Sequence, residues 1–99
     1  IDTREGIKKR PGFYAYKTML SLLQDKQVTR YSIEGDHHHV VFENSHERIE
    51  VHWMRKGTQP LKHFYTYQRI ISRDGEELSL SSKEITTSPL YCVQQKDPR

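Results

Sequence analysis

Alternation of apolar and polar side chains within residues 48–54 constrains this chain more than any other feature. Ile49, Val51 and Trp53 are apolar, whereas Glu50 and His52 between them are polar. Side chains of a β-strand point alternately to opposite faces, so this period of two predicts a strand with one face on a core. The rest of the chain must then supply neighbouring strands and a layer that covers that face.

Turn signals divide most of the remaining chain into short segments of high β-propensity. Gly35 with Asp36, and Asp74 with Gly75, are residue pairs that accept the left-handed backbone of tight turns. The predicted strands between such signals cover residues 29–34, 38–43, 61–71, 77–80, 83–86 and 90–93. Several short strands at close spacing predict a mostly β fold, which we interpret as an antiparallel β-sandwich.

One N-terminal α-helix is predicted over residues 11–24, because Pro11 suits the first helical position and apolar residues follow at helical spacing. These residues form two neighbouring stripes: Phe13, Tyr16, Leu20 and Leu23 in the first, and Ala15, Met19 and Leu22 in the second. Either the two stripes pack against two different neighbours, one of them outside this chain, or together they form one wide face buried on the sheet.

The length of 99 residues predicts a single domain with one core, which we assign to residues 11–94. The charged residues 1–10 are predicted to be a linker or arm, and residues 95–99 a frayed tail. The first residue is Ile1 rather than Met, which suggests a piece of a longer protein. No apolar run approaches the roughly 20 residues needed to span a bilayer, so we expect no membrane partner.

The charge balance is mildly basic, with 16 Lys and Arg against 13 Asp and Glu. Clustered positive charge is limited to Lys8, Lys9 and Arg10, and to Arg55 and Lys56, beside turn residues. Solvated loops are the preferred interpretation of both clusters. We therefore do not expect a nucleic-acid partner, and a small basic nucleic-acid or protein-interaction domain remains an alternative.

Neither the cysteine nor the carboxylate pairs of this chain predict a catalytic site. Cys92 is the single cysteine, which excludes an internal disulfide, and in an apolar segment it is predicted to be a small core residue. The carboxylate pairs at Glu76 and Glu77, and at Glu47 and Glu50, lie near turns or on polar strand faces, where water keeps a pKa ordinary. We predict no catalytic residue and no cofactor.

Histidines are concentrated in the chain at His37, His38 and His39, with His52 on the next predicted strand. His37 and His39 share a face, whereas His38 points the other way, and His52 completes a cluster if the strand register is right. A metal site needs three or four converging ligands. The preferred interpretation is exposed histidines without a metal, and His37, His39 and His52 are the candidate ligands for the alternative.

The aromatic residues suggest a second kind of binding site. Tyr65 and Tyr67 are predicted on the same face of one strand, with Tyr31 nearby in the sheet, whereas the alternation places Trp53 inside. A flat aromatic surface can stack on sugar rings. A carbohydrate-binding module that uses Tyr31, Tyr65 and Tyr67 is therefore one hypothesis for function.

Three segments resemble the C-terminal region of modular glycoside hydrolases built on a (β/α)₈ barrel. Residues 10–23 are similar to the last helix of such barrels. Residues 40–43 and 48–53 resemble a strand pair of the small all-β domain that follows, and residues 74–75 with 85–91 resemble its closing Asp-Gly turn and Ser-Pro-aliphatic-Tyr strand. The resemblance covers about residues 10–93, and neither the histidine tract nor the tyrosine-rich run belongs to its pattern.

The resemblance implies an accessory β-sandwich that packs beside a catalytic barrel, with the helix between them. It also implies that the catalytic acid and nucleophile lie on barrel strands that this chain does not contain. The preferred hypothesis is therefore a non-catalytic, structural domain of a carbohydrate-active enzyme, with the catalytic barrel as its partner and carbohydrate as a further candidate.

Overall fold

The computed structural model describes residues 11–96, and within them it contains one α-helix and eight strands. Helix α1 spans Pro11–Leu23. The strands are β1 (Gln27–Glu34), β2 (His37–Glu43), β3 (Glu47–Met54), β4 (Gln59–Pro60), β5 (Arg69–Ile71), β6 (Glu77–Leu78), β7 (Glu84–Ile85) and β8 (Leu90–Gln95), with a 3₁₀ turn at Phe64–Thr66. The prediction of a mostly antiparallel β fold with one N-terminal helix is confirmed.

Six strands form one antiparallel sheet in the order β1-β2-β3-β8-β5-β6, and β4 pairs with β7 in a separate two-stranded ribbon. The first three strands pair in sequence order, and Gly35 with Asp36 forms the predicted turn between β1 and β2. The last strand, β8, then returns to lie between β3 and β5. None of the helices in the described part of the chain is long and apolar enough to cross a membrane.

The two faces of the large sheet carry different layers. Ile49 and Val51 of β3 share a face with Tyr91 and Val93 of β8, and this face packs against the end of α1. We call it the helix side. The opposite face, the ribbon side, packs against the two-stranded ribbon through residues that include Met54, Ile70, Leu90, Cys92 and Ile85.

The strand that the alternation predicted is buried as expected on the helix side. Ile49 is fully buried and Val51 nearly so, while Trp53 is half-buried against the same cluster. Cys92 is fully buried on the ribbon side, which confirms its prediction as a small core residue.

Helix α1 uses only part of its apolar surface. Leu22 and Leu23 pack against the helix-side core, whereas Tyr16, Met19 and Leu20 are exposed. The interpretation of one wide buried face is therefore wrong for these residues. These three exposed side chains are open to solvent in this chain.

The predicted strand 61–71 and the predicted start of the frayed tail are both wrong. Residues 61–71 do not form one strand, because the 3₁₀ turn Phe64–Thr66 interrupts them and His63 before it has a left-handed φ of 56°. The frayed tail does not begin at residue 95, since Gln95 pairs with Glu47 and the Lys96 N–H donates to the His46 carbonyl at 3.0 Å. The predicted linker 1–10 and residues 97–99 lie outside the described residues.

Candidate functional site

A short turn between β2 and β3 fixes the register on which the site depends. The Asn44 Oδ1 accepts hydrogen bonds from the backbone N–H groups of His46 and Glu47, both at 2.8 Å. Such side-chain bonds are the reason that Asn favours turns. From this turn the two strands pair so that His39 lies opposite His52.

A polar cluster therefore occupies one end of the ribbon side, next to the apolar core. His39 of β2 faces His52 of β3, and His37 and Glu50 are diagonal neighbours of this pair on the same face of the sheet. The His39 and His52 rings are parallel at a centroid distance of 4.4 Å, and His37 stacks on His52 at 5.2 Å. Tyr67, which follows the 3₁₀ turn, contributes the fifth side chain.

The Glu50 Oε1 atom is the centre of this cluster. The Tyr67 hydroxyl donates to it at 2.9 Å, and the His39 Nε2 lies 3.0 Å away. The His52 Nε2 is 3.7 Å from the same oxygen. The other carboxylate oxygen, Oε2, pairs with the Arg48 guanidinium at 3.1 Å.

A chain of hydrogen bonds runs from His52 through His37 to Gln59. The His52 Nδ1 lies 3.0 Å from the His37 Nε2, and the His37 Nδ1 lies 3.4 Å from the Gln59 amide nitrogen. If that amide donates to His37, the proton of His37 is on Nε2 and the proton of His52 is also on Nε2. In that arrangement the N–H of His52 faces Glu50.

The charges of the cluster follow from these contacts. Burial by itself would raise the pKa of the Glu50 carboxyl, but the proton donors on His52 and Tyr67 and the charge of Arg48 outweigh it and lower the pKa to about 2. The prediction of an ordinary pKa at this carboxylate is wrong. Burial, and then the neighbouring Glu50 charge, raises the pKa of Tyr67, so its hydroxyl stays a donor.

His37 and His39 are held neutral. Burial is the largest cause that lowers the pKa of both His37 and His39, and the adjacent His52 adds to it in each case. Neutral imidazoles keep one nitrogen lone pair, which is the form that binds metal ions.

The cluster is reached from solvent through an open cleft of about 260 Å³. His37, His52 and Glu50 line one wall, and Gln59 and Lys62 lie on the other side in or near the ribbon. A small solute in the cleft can therefore reach His37, Glu50 and His52.

The structure brings the three predicted histidine ligands together and adds Glu50 and Tyr67, which the sequence did not indicate as partners. It separates His38 from them, because that ring lies on the helix side and stacks on Trp53 at 5.1 Å. A shared face could be predicted from the alternation alone. The contact between Tyr67 and Glu50 joins residues that are distant in sequence, and no local signal marks it.

The structure does not assemble the predicted tyrosine surface. Tyr67 is only 7% exposed and its hydroxyl is bound to Glu50, so its ring is not available to stack on a sugar. Tyr31 is exposed on the helix side of β1, whereas Tyr65 is exposed on the 3₁₀ turn, whose neighbours His63 and Tyr67 line the cleft on the ribbon side. The prediction that these residues share one surface is wrong because residues 64–66 are not a strand.

A second concave surface is an apolar groove on the helix side, with a volume of about 400 Å³. Met19 and Leu23 of α1 form one wall, and Phe42, Trp53 and Tyr91 of the sheet form the floor. Beyond it, the edge strand β1 exposes further apolar side chains on the same face: Val28, Tyr31 and Ile33.

Comparison of the chain with known protein families, with curated proteins and with solved structures gives no match.

Proposed function

We propose that this chain is a non-catalytic accessory domain of a carbohydrate-active enzyme, which packs through its helix side against the catalytic barrel of the same polypeptide. The observation that carries the proposal is the apolar surface of β1. Val28, Tyr31 and Ile33 are each more than half exposed, at 57%, 55% and 52%. Contiguous apolar patches of this kind mark interaction surfaces.

The exposed surface is continuous with the groove and with the open side of α1. Because facing residues of paired strands share a face, Tyr31 lies beside Val40, and Val28 lies beside Phe42 on the groove floor. Met19 and Leu20 are exposed on the helix above it. Burial of half-exposed side chains of this size stabilises a contact by about 1 kcal/mol each, so a partner that covers them all gains substantially.

The resemblance of residues 10–23 to a last barrel helix supports the choice of partner, because the open side of α1 then faces the barrel. The state of the carboxylates supports a non-catalytic role. Glu50 has a pKa of about 2, which does not suit a general acid near neutral pH, and Glu77 is paired with Arg69 at 3.1 Å.

The aromatic side chains of the helix side favour a protein partner over a sugar. His38 stacks on Trp53 at 5.1 Å, and its Nδ1 lies 3.2 Å from the Tyr31 hydroxyl. One face of the Trp53 ring is therefore already covered, and the Tyr31 hydroxyl already has a partner within the sheet. Sugar stacking needs open ring faces.

A matched pair of substitutions on β1 tests the proposal. Ile33 and Ser32 are adjacent and both exposed, but Ile33 faces the helix side and Ser32 the ribbon side. In the complete natural polypeptide, we expect Ile33→Lys to lower the melting temperature of this domain, because the substitution weakens its contact with the barrel. Ser32→Lys should have little effect. In the isolated domain, both variants should melt like the wild type.

Two results would contradict the proposal. One is a natural polypeptide without a catalytic barrel, because the proposed partner would then not exist. The other is an equal response of the complete polypeptide to both lysine substitutions, because the helix side would then have no special role.

A further inference from the structure

We propose that His39, His52 and Glu50 form a binding site for a divalent first-row transition-metal ion, with Zn²⁺ as the reference case. Their ligand atoms all lie within 4.8 Å of one another. Two ligands of one tetrahedral zinc ion, each about 2.0–2.1 Å from it, are about 3.3 Å apart. The Glu50 Oε1 is 3.0 Å from the His39 Nε2 and 3.7 Å from the His52 Nε2, close to that separation.

The donor set selects the class of metal. Imidazole nitrogens suit Zn²⁺, Cu²⁺, Ni²⁺ and Fe²⁺, and one carboxylate provides the negative charge that offsets part of the charge of the ion. Ca²⁺ and Mg²⁺ prefer a shell of oxygen ligands, which two histidines do not provide. The site therefore favours transition metals over the abundant hard cations.

Each of two ligands already has an outer partner that fixes its orientation, as in natural metal sites. His37 contacts the Nδ1 of His52 at 3.0 Å, on the ring nitrogen that is not used for the metal. Arg48 holds the Glu50 Oε2 at 3.1 Å, which leaves Oε1 directed at the two histidines. Tyr67 donates to that same Oε1 and limits its movement.

Metal binding requires a defined local rearrangement. The His39 and His52 rings are parallel, with an interplanar angle of 3°, so one ring must turn before both Nε2 lone pairs converge on one ion. The proton on each Nε2 moves to Nδ1, and for His52 the new N–H then donates to His37. The proton of His37 likewise moves from Nε2 to Nδ1, and the Gln59 amide turns so that its oxygen accepts a hydrogen bond from that N–H. The number of protons on the histidines is unchanged.

Three protein ligands leave a fourth position of a tetrahedral ion open. That position takes water or an exogenous ligand, because His52 and Glu50 line the open cleft. The arrangement has the open character of exchangeable metal sites rather than that of a closed structural site.

The histidine tract provides a matched control against adventitious binding. His38 and His39 are adjacent, but His38 lies on the helix side and stacks on Trp53, away from the cluster. A loose association of metal with the tract would be weakened equally by His38→Ala and His39→Ala. If the metal binds at the site on the ribbon side, His39→Ala weakens binding and His38→Ala does not.

The experiment is calorimetric titration of the metal-free chain with ZnCl₂ near pH 7.5. We expect one Zn²⁺ per chain with a dissociation constant below about 100 μM. His39→Ala, His52→Ala and Glu50→Gln should each weaken binding by more than tenfold. We expect His37→Ala to weaken it by about tenfold to 100-fold, as is usual for outer partners of a ligand, and His38→Ala to leave it unchanged.

Nitrogen-15 NMR of the imidazole rings keeps the proposal testable if an alanine variant does not fold. In the wild type, Zn²⁺ should shift the Nε2 signals of His39 and His52 and leave those of His38 and His46 in place. Any of three results would overturn the proposal. They are an equal loss of affinity in the His38→Ala and His39→Ala variants, NMR shifts confined to other histidines, and no saturable Zn²⁺ binding with a dissociation constant below about 100 μM. This inference does not depend on the proposed accessory function.

Discussion

Glu50 is the residue whose surroundings differ most from what its position in the sequence indicates. Alternation with Ile49 and Val51 places it on the other face of β3, which a sequence alone assigns to solvent. The side chain is instead only 12% exposed, because Tyr67 covers it and Arg48 and His39 pair with it. A buried carboxylate needs such partners, since burial without them is costly.

Replacement of Glu50 tests whether this carboxylate stabilises the fold. Its pKa is about 2 in the folded chain and 4.5 ordinarily, so the folded state favours the ionised form. The resulting stabilisation, about 3 kcal/mol, is fully present above pH 4.5 and is lost as the pH falls toward 2. We expect Glu50→Gln to be less stable than the wild type at pH 7 by an amount of this order, with the difference shrinking below pH 4.5.

Urea unfolding from pH 7 to pH 3 in the presence of a chelator measures this difference in the free energy of unfolding. The chelator removes any contribution of bound metal. Glu77→Gln is a suitable control, because that carboxylate is exposed and pairs with the exposed Arg69. A constant difference between Glu50→Gln and wild type across the whole range would contradict the account of Glu50.

At the scale of elements, the turn between β5 and β6 lies against α1. Gly75 in this turn has a φ of +95°, and a Cβ atom there would lie 2.9 Å from the Thr18 Oγ1 of the helix. Thr18 is itself buried. The glycine is therefore required both by its backbone conformation and by the approach of the helix.

Comparison of Gly75→Ala with Gly57→Ala separates the cost of the backbone conformation from the cost of the contact with the helix. Gly57 also has a positive φ, of +76°, but an added Cβ there would meet no atom within 4 Å. Each variant carries a backbone cost of about 1–2 kcal/mol. We expect Gly75→Ala to lose about 1–3 kcal/mol more in chemical denaturation, because the helix or the turn must move.

A second change identifies the origin of that additional loss. The substitution Thr18→Ala removes the Oγ1 atom, so Gly75→Ala should cost less in its presence than in the wild type. Equal costs in both backgrounds, or equal losses for Gly75→Ala and Gly57→Ala, would show that the helix does not lie against this turn.

The same elements show how far the sequence determines the fold. The period of two in β3, and the glycine turns at Gly35 and Gly75, are local features, and the structure has the strands and turns that they predict. The run of residues 61–71 has β-propensity too, yet the Thr66 hydroxyl and the N–H groups of Thr66 and Tyr67 bond back into the 3₁₀ turn. Local hydrogen bonds there satisfy the backbone without a partner strand.

The candidate site was predictable only in part, for a related physical reason. The alternation of β2 gives His37 and His39 one face, and the position of His52 depends on a register that the Asn44 turn fixes. Glu50 and Tyr67 meet only because Tyr67 leaves the 3₁₀ turn toward the ribbon side. Contacts between such distant segments have no signature in a single sequence.

At the scale of the whole molecule, the large sheet separates two surfaces of different chemistry. The helix side is apolar and incompletely covered, whereas one end of the ribbon side holds the His39, Glu50 and His52 cluster. A substitution on one face should therefore leave the other largely unaffected, since the backbone of the sheet lies between them. The proposed domain contact and the proposed metal site can be tested separately on the same chain.

The two methionines of the chain report directly on the proposed contact of the helix side. Met19 is 40% exposed at the groove, and Met54 is buried in the ribbon-side core at 7%. Exposed methionines are oxidised to the sulfoxide more readily than buried ones. Met54 is thus an internal control for the integrity of the fold.

The decisive measurement is the rate of oxidation of Met19 by dilute peroxide, followed by mass spectrometry in the isolated domain and in the complete natural polypeptide. The account predicts rapid oxidation in the isolated domain and a several-fold slower rate in the complete polypeptide, with Met54 slow in both. An unchanged rate at Met19 in a polypeptide whose Met54 remains protected would contradict the proposal that the helix side packs against a catalytic barrel.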